Sequence, residues 1–227
     1  MLSQAYIQQS LKSALPIMLG YAGIGIPCGI LCASVGLNAL QVALFSLLFY
    51  SGAGQFMVPN MWLTGAPIAS IIASVSLVNT RQMLYSASLA QFCQNTAKRR
   101  AFLFAATVTD ESFGVNVARF SEGEWSVERA ILVNLFSQSS WIISSVIGVF
   151  LGELFNIPLP LASFAMTSIF ICLLCIQNLN KDNLLAMAVA FVVVFLCKWL
   201  GLAGLAILVG ALAGVAVALV KTKLSHT

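Results

Sequence analysis

Three ionisable side chains lie inside apolar stretches of this 227-residue chain and are its strongest candidates for chemistry. Asp110 and Glu111 lie in the run AATVTDESFGVNV, and Arg81 lies in the run LVNTRQMLYSASL. An arginine guanidinium binds carboxylates through two parallel hydrogen bonds. Arg81 is therefore predicted either to hold a substrate carboxylate or to pair with one of the two acids. A purely structural ion pair is the alternative.

The two adjacent acids are candidates for moving a proton. Neighbouring residues on a helix point about 100° apart, so Asp110 and Glu111 are expected to have different surroundings. Burial disfavours the charged form of a carboxyl group, and a nearby guanidinium favours it. A carboxyl group held between these effects can exchange a proton in each cycle, and Asp110 is the first choice, Glu111 the second. In the alternative, the two acids cap a helix N-terminus or face water.

Further polar and small residues are predicted to bind a substrate. Ser51 and Gln55 are four residues apart and share a helix face, as do Asn134, Gln138 and Trp141, whose face should point inward. Hydrogen bonds between helices, or close helix packing at glycines, are the alternatives. The full set of candidate substrate-binding residues is Gly23, Gly25, Ser51, Gln55, Asn79, Arg81 and Gln138.

The composition predicts the elements that must position these residues. The chain is 60% hydrophobic and only 8% charged, against roughly 25% charged residues in soluble domains. Apolar stretches recur from end to end, which predicts an all-α, polytopic transmembrane bundle forming one transporter domain over residues 1–227. Seven or eight membrane segments are expected, at 13–34, 39–59, 66–92, 100–117, 130–152, 159–178, 184–199 and 202–220. The short fourth and seventh segments suggest half-spans or tilted pieces.

The first segment carries several helix breakers. It reads ALPIMLGYAGIGIPCGI, which includes Pro16, Pro27 and several glycines. Proline removes a backbone donor and glycine weakens a helix, so an unwound stretch from Gly23 to Pro27 is predicted to line the pathway. Near the other end of the chain, Gly210 and Gly214 form a GxxxG pattern, which predicts close helix packing.

The basic residues give conflicting signals about topology. The cluster Lys98, Arg99 and Arg100 is predicted to be cytoplasmic, and so is Lys12. Three full spans between them would place them on opposite sides of the membrane. Either one segment is re-entrant or one basic signal is overruled.

Motifs for other chemistries are missing from the sequence. The only histidine is His226, and the chain has no HExxH, Walker A or GxSxG pattern. Cys172 and Cys175 form a CxxC without the second pair that a zinc site needs. The protein is therefore predicted not to be an enzyme, to hold no metal or cofactor, and to bind no nucleic acid.

Several motifs, taken in order, resemble the AzlC-type branched-chain amino-acid exporter family, the large subunit of a two-component permease. They are ALPIMLGYAGIGIPCGILCASVGL, then SGAGQF, then VNTRQMLYSASLA, then the TDE run, then SSWIISSVIGVFLGE and a glycine-rich ending. Where family members tend to read Asn-Leu-Arg-His, this chain has Thr80 and Gln82.

The resemblance implies a function as well as a fold. It implies a multi-pass protein of the cell (inner) membrane that exports Leu, Ile, Val and similar amino acids, driven by the proton motive force. It also implies a small membrane partner of the AzlD type. Two other functions fit the sequence: an ion channel, and a structural subunit of a membrane permease complex.

Overall fold

The computed structural model describes residues 4–123, 125–155, 158–176, 181–201, 206 and 209–218, and every regular element in these ranges is helical, so the predicted all-α class is confirmed. A 3-10 turn at Ala90–Cys93 follows α4. The helices are α1 (Gln4–Ser34), α2 (Ala39–Leu48), α3 (Gly52–Leu63), α4 (Ile68–Leu89), α5 (Lys98–Ala106), α6 (Asp110–Ser121), α7 (Val127–Phe155), α8 (Leu159–Ile176), α9 (Lys181–Trp199) and α10 (Val209–Ala218).

The helices pack as two compact units. Unit 1 comprises residues 1–56 and 79–165, and unit 2 comprises residues 57–78 and 166–227. Within the described residues, two helices are long and apolar enough to cross a membrane, Tyr6–Ser34 and Val127–Phe155. The number of membrane segments remains a prediction.

Helices α1 and α7 form the frame of unit 1 and run parallel. Ser140 donates a hydrogen bond to the carbonyl of Met18 at 2.8 Å, and Ser144 donates one to the carbonyl of Tyr21 at 3.0 Å. The numbers of the contacting residues increase together along both helices, so the two helices run parallel. A Cβ added to Gly29 would overlap the backbone of α7, so glycine is needed for this close approach.

The predicted unwinding of the first segment is wrong. Helix α1 continues through Pro16 and Pro27 to Ser34. A proline within a helix costs one backbone hydrogen bond, but breaking the helix would also give up its long contact with α7. The structure instead breaks two other predicted segments, the second and the fourth. Each of them consists of two short helices.

The second segment is a helical hairpin, called hairpin A (residues 39–63). The chain reverses at residues 49–51, between α2 and α3. The side chain of Gln55 reaches back to α2 and donates to the carbonyls of Phe49 at 2.6 Å and Phe45 at 3.4 Å. Each carbonyl also accepts from the backbone, Phe45 from Phe49 N and Phe49 from Ser51 N. Gln55 therefore adds a second donor at the end of α2 and caps the helix that precedes it.

The fourth segment is a second helical hairpin, called hairpin B (residues 98–121). Thr109 caps α6 and takes part in a reciprocal capping box with Ser112. Asn134 of α7 holds the preceding bend by donating to Thr107 Oγ1 at 3.1 Å. Phe120, near the end of α6, packs against Phe104 of α5 with ring centroids 6.3 Å apart. The end of α6 therefore returns to α5.

Hairpin A, which lies between Lys12 and Lys98, resolves the conflict between the basic signals, and contacts at the start of hairpin B show this. Arg100, at the start of α5, forms an ion pair with Glu128, at the start of α7. The next residue, Arg129, stacks on Tyr6 near the start of α1, with 4.1 Å between guanidinium carbon and ring centroid. The cluster beginning at Lys98 therefore lies at the same end of unit 1 as Lys12, here called the basic end. Of the two alternatives, a re-entrant segment or an overruled basic signal, the structure contains the first.

In unit 2, the predicted close packing of the GxxxG pattern is confirmed. A Cβ on Gly210 would overlap the side chain of Val194, and a Cβ on Gly214 would lie 3.2 Å from the carbonyl of Ala186. Helices α9 and α10 therefore approach closely. The rest of the predicted segment 202–220 lies outside the described residues.

Candidate functional site

The bends of the two hairpins meet at Tyr21, a residue that is 4% exposed. Its hydroxyl donates to Glu111 Oε2 at 2.7 Å, and the hydroxyl oxygen lies 2.8 Å from Thr109 Oγ1. The same ring packs edge-on against Tyr50, in the bend of hairpin A, with centroids 6.4 Å apart. Tyr21 thus connects α1 to both bends.

Arg81 and Asp110 form the charged part of the site. The guanidinium Nη1 lies 2.8 Å from Asp110 Oδ2, so the predicted pairing of Arg81 with one of the two acids is confirmed. Arg81 Nε and Asp110 Oδ1 are buried and make no hydrogen bond in the described structure. The phenol of Tyr85 lies beside this pair. The ion pair therefore keeps one buried donor and one buried acceptor unused.

Helix α4 joins this charged pair to hairpin A. Asn79 Oδ1 accepts a hydrogen bond from Ser51 Oγ at 2.7 Å. Gln82 Nε2 donates to the carbonyl of Tyr50 at 3.3 Å. Because Asn79, Arg81 and Gln82 lie within one turn, a single stretch of α4 contacts both bends.

Asp110 and Glu111 have different surroundings, as predicted. Asp110 faces the guanidinium of Arg81, whereas Glu111 accepts from the neutral hydroxyl of Tyr21 and is exposed. Both acids occupy the first turn of α6, where the helix dipole favours negative charge. The alternative prediction, that the two acids lie at a helix N-terminus, is therefore also met. This N-terminus lies at the bend of hairpin B.

The side-chain amides of Gln55 and Gln138 hold helices together next to the site. Gln55 Oε1 accepts from Trp141 Nε1 at 2.8 Å and from Ser46 at 3.1 Å, and its amide nitrogen caps α2. Gln138 donates to the carbonyl of Leu47 at 3.1 Å. The inward-facing set Asn134, Gln138 and Trp141 is buried, as predicted. These contacts position hairpin A against α7.

The two candidate glycines of α1 differ from each other. A Cβ on Gly25 would overlap Ser144 of α7, so Gly25 serves the close contact between the two helices. A Cβ on Gly23 would meet nothing within 4 Å. Neither glycine lies in unwound backbone, and the structure does not join them to the cluster around Tyr21.

The sequence interpretation did not include Tyr21 and did not use Thr109 as a cap. A tyrosine within an apolar helix indicates a buried hydroxyl that needs a partner, and Tyr21 stands in such a run. Thr109, followed by two acids and Ser112, has the pattern of a helix start. Both signals were readable, but only the structure joins Tyr21 to a residue 90 positions away.

The site combines two kinds of chemistry. The unused Arg81 Nε can donate to a carboxylate, and the unused Asp110 Oδ1 can accept from an ammonium group. Glu111 is an acid hydrogen-bonded to a neutral hydroxyl, with no cation among its described contacts. No group of three His, Cys, Asp or Glu side chains that could hold a metal ion occurs in the described part of the chain.

Helices interrupted at a polar, charged centre are the architecture with which membrane transporters bind solutes. In the sequence comparison, residues 16–155 match the AzlC protein family. The chain belongs to the AzlC family. The matched region contains every residue of the site from Tyr21 to Trp141.

Several relatives are similar over most of the chain. A membrane protein of Helicobacter pylori is 32% identical over 90% of this chain and 94% of its own length. The inner membrane protein YgaZ of Escherichia coli is 30% identical over 66% of this chain and 62% of its own length. The branched-chain amino acid transport protein AzlC of Bacillus subtilis is 24% identical over 79% of this chain and 70% of its own length. No solved structure matches the chain.

Proposed function

We propose that this protein is a secondary transporter that exports branched-chain and similar apolar amino acids across the cell (inner) membrane, coupled to protons. The whole chain acts as one multi-pass transport domain. The observation that carries the proposal is the meeting of two helix breaks at Tyr21, beside the pair of Arg81 and Asp110. The name of the Bacillus subtilis relative supports the substrate class.

The hairpins suit a re-entrant arrangement. From Lys98 to Thr107 the chain rises about 13 Å, roughly half of the hydrocarbon thickness of a bilayer. Hairpin B would enter from the basic end and turn back at the membrane midplane. Non-helical backbone at this depth needs protein partners, and Asn134 and Tyr21 supply them.

The unused groups of the ion pair match an amino-acid zwitterion. A substrate carboxylate would accept from Arg81 Nε, and a substrate ammonium would donate to Asp110 Oδ1. A bound zwitterion adds no net charge to the buried pair, which keeps the cost of burial low. Ser51 and Asn79 are proposed as further substrate contacts. Gln55 and Gln138 are proposed to support the site by positioning hairpin A.

Glu111 is the better candidate for the proton carrier, although both acids remain proposed coupling residues. Protonation of Asp110 would leave Arg81 without its counter-charge. Protonation of Glu111 removes a charge that has no cation beside it in the described contacts. Tyr21 can keep its hydrogen bond to either form of Glu111, so the carrier can change state while the bends stay joined.

Transport by purified protein tests the proposal. The chain is reconstituted in liposomes with and without a small AzlD-type subunit, the proposed partner, and exchange of labelled leucine is measured across the membrane. Wild type should exchange leucine for unlabelled leucine, valine or isoleucine. Arg81→Lys keeps the charge but loses the planar guanidinium, so exchange should fall at least about tenfold.

The matched control is Arg99→Lys, an exposed residue that should leave exchange unchanged. Flux that does not saturate and shows no exchange would favour a channel. Full exchange by the complex with Arg81→Lys would instead favour a structural role for this chain, with the partner carrying the substrate site.

A further inference from the structure

Two stacked aromatic rings lie next to the pair of Arg81 and Asp110. The rings of Tyr85 and Phe113 have centroids 4.5 Å apart and an interplanar angle of 21°. Tyr85 follows Arg81 by four residues on α4, and Phe113 follows Asp110 by three residues on α6. Residues at these spacings are neighbours on one face of a helix. The ion pair and this ring stack are therefore successive contacts between the same two helices.

A second ring stack lies farther toward the basic end. Phe92, in the 3-10 turn that follows α4, stacks on Phe120 of α6 with ring centroids 4.3 Å apart. Seven residues separate Tyr85 from Phe92, and seven separate Phe113 from Phe120. The two stacks are alike in chemistry, but only the stack of Tyr85 and Phe113 lies next to the charged pair.

The stack of Tyr85 and Phe113 has a covered side and an open side. Both rings pack against the buried apolar cluster that contains Phe104, yet both residues remain only half-buried. The phenol of Tyr85 lies beside Arg81 and Asp110. The uncovered apolar surface of the stack therefore begins next to the two unused buried atoms, Arg81 Nε and Asp110 Oδ1.

This arrangement matches the three parts of an apolar amino acid. In the proposed function, Arg81 Nε binds the carboxylate and Asp110 Oδ1 binds the ammonium group, which leaves the side chain to be placed. The helix rises about 6 Å from Arg81 to Tyr85, so the rings lie one turn away from the head group. In the other direction along α4, Asn79 and its partner Ser51 offer polar groups. The apolar surface thus lies on one side of the head group.

We propose that Tyr85 and Phe113 are specificity-determining residues that bind the aliphatic side chain of the substrate. A branched aliphatic chain would cover the open surface of the ring stack and remove apolar area from water. A polar side chain would lose its water there without gaining a hydrogen-bond partner. The inference rests on the proposed function, from which it takes the two head-group contacts, and it names the groups that select apolar substrates.

A comparison of two substrates tests the proposal. The full-length protein is reconstituted in liposomes with the small subunit, and kcat/KM is measured for exchange of labelled leucine and of labelled alanine. The two substrates share a head group and differ only in the aliphatic side chain. Wild type should favour leucine. Phe113→Ala should lower the ratio of leucine to alanine about tenfold, because a single buried methylene discriminates by at least that factor.

Phe92→Ala is the matched control, because it removes one ring of the second stack, which packs against the same apolar cluster. It should retain the wild-type ratio. Phe113→Leu and Tyr85→Leu each replace a flat ring by a smaller apolar side chain, so each should lower the ratio about threefold. These two milder variants keep the proposal testable if Phe113→Ala does not fold.

The outcomes separate this inference from the proposed function. Wild-type ratios in Phe113→Ala and in both milder variants would overturn the inference. An equal fall of the ratio in Phe92→Ala would also overturn it, because the loss would then come from packing between α4 and α6. Wild-type protein that exchanges leucine and alanine equally well would overturn the inference but leave transport intact. Wild-type protein that exchanges neither amino acid would refute the proposed function itself.

Discussion

Asp110 and Glu111 are adjacent in the sequence, but only one of them balances a half-buried cation. Asp110→Asn leaves Arg81 unpaired, so the free energy of unfolding should fall by about 2–4 kcal/mol, less than for a fully buried pair. Leucine exchange should be lost together with stability. Thermal unfolding in detergent and exchange in liposomes measure the two effects.

Glu111→Gln should separate coupling from binding. The glutamine amide oxygen can still accept from Tyr21, so the fold and leucine exchange should remain close to wild type. Accumulation driven by a pH gradient should disappear, because the side chain can no longer release a proton. A variant that still accumulates leucine with wild-type pH dependence would move the coupling away from Glu111.

Tyr21→Phe removes the hydroxyl that joins α1 to the bend of hairpin B. Both Glu111 and Thr109 lose a partner, so the free energy of unfolding should fall by about 1–3 kcal/mol. The ring packing against Tyr50 and Trp141 is kept by phenylalanine. Tyr6→Phe is the matched control, since it retains the stacked ring and removes a hydroxyl far from the bends. If both variants had equal Tm values, the hydroxyl of Tyr21 would not hold the bend of hairpin B.

Helix α1 is held in place by its close contact with α7, and substitution of its glycines tests this contact. Gly29→Ala would force its new methyl group against the backbone of α7, and overpacking of this kind costs about 1–3 kcal/mol. Gly23→Ala meets open space and should be neutral or slightly stabilising. Thermal unfolding of both variants checks this, and equal Tm values would contradict the tight packing.

The elements differ in how far the sequence predicts them. The all-helical class follows from long apolar stretches, and the start of α6 could be read from Thr109 and Ser112. The break after Phe49 could not be placed, because it depends on Gln55 reaching carbonyls six and ten residues earlier. Prolines in α1 suggested a break that packing against α7 prevents.

At the scale of the molecule, hairpin A explains how basic residues separated by three apolar segments reach the same end, because the second of these segments turns back. The sequence predicted that Arg81 pairs with an acid or holds a substrate carboxylate, since a guanidinium is expensive to bury alone. It could not predict that hairpins A and B meet at Tyr21, because the contacts join residues about 30 to 90 positions apart. Such contacts carry no local signal in one sequence.

Labelling of introduced cysteines tests this arrangement in the membrane. Gln9→Cys and Gln94→Cys lie near the basic end, whereas Ser34→Cys lies at the far end of α1, and all three positions are exposed. The background lacks the four cysteines that are not buried, which are Cys93, Cys172, Cys175 and Cys197.

An impermeant maleimide added to intact cells should label Ser34→Cys only, because positive residues are retained in the cytoplasm. Gln9→Cys and Gln94→Cys should react only after the membrane is opened. Three full spans between them would instead expose one of the two to the outside. Labelling of Gln9→Cys and Gln94→Cys from opposite sides would therefore refute a hairpin that turns back within the membrane.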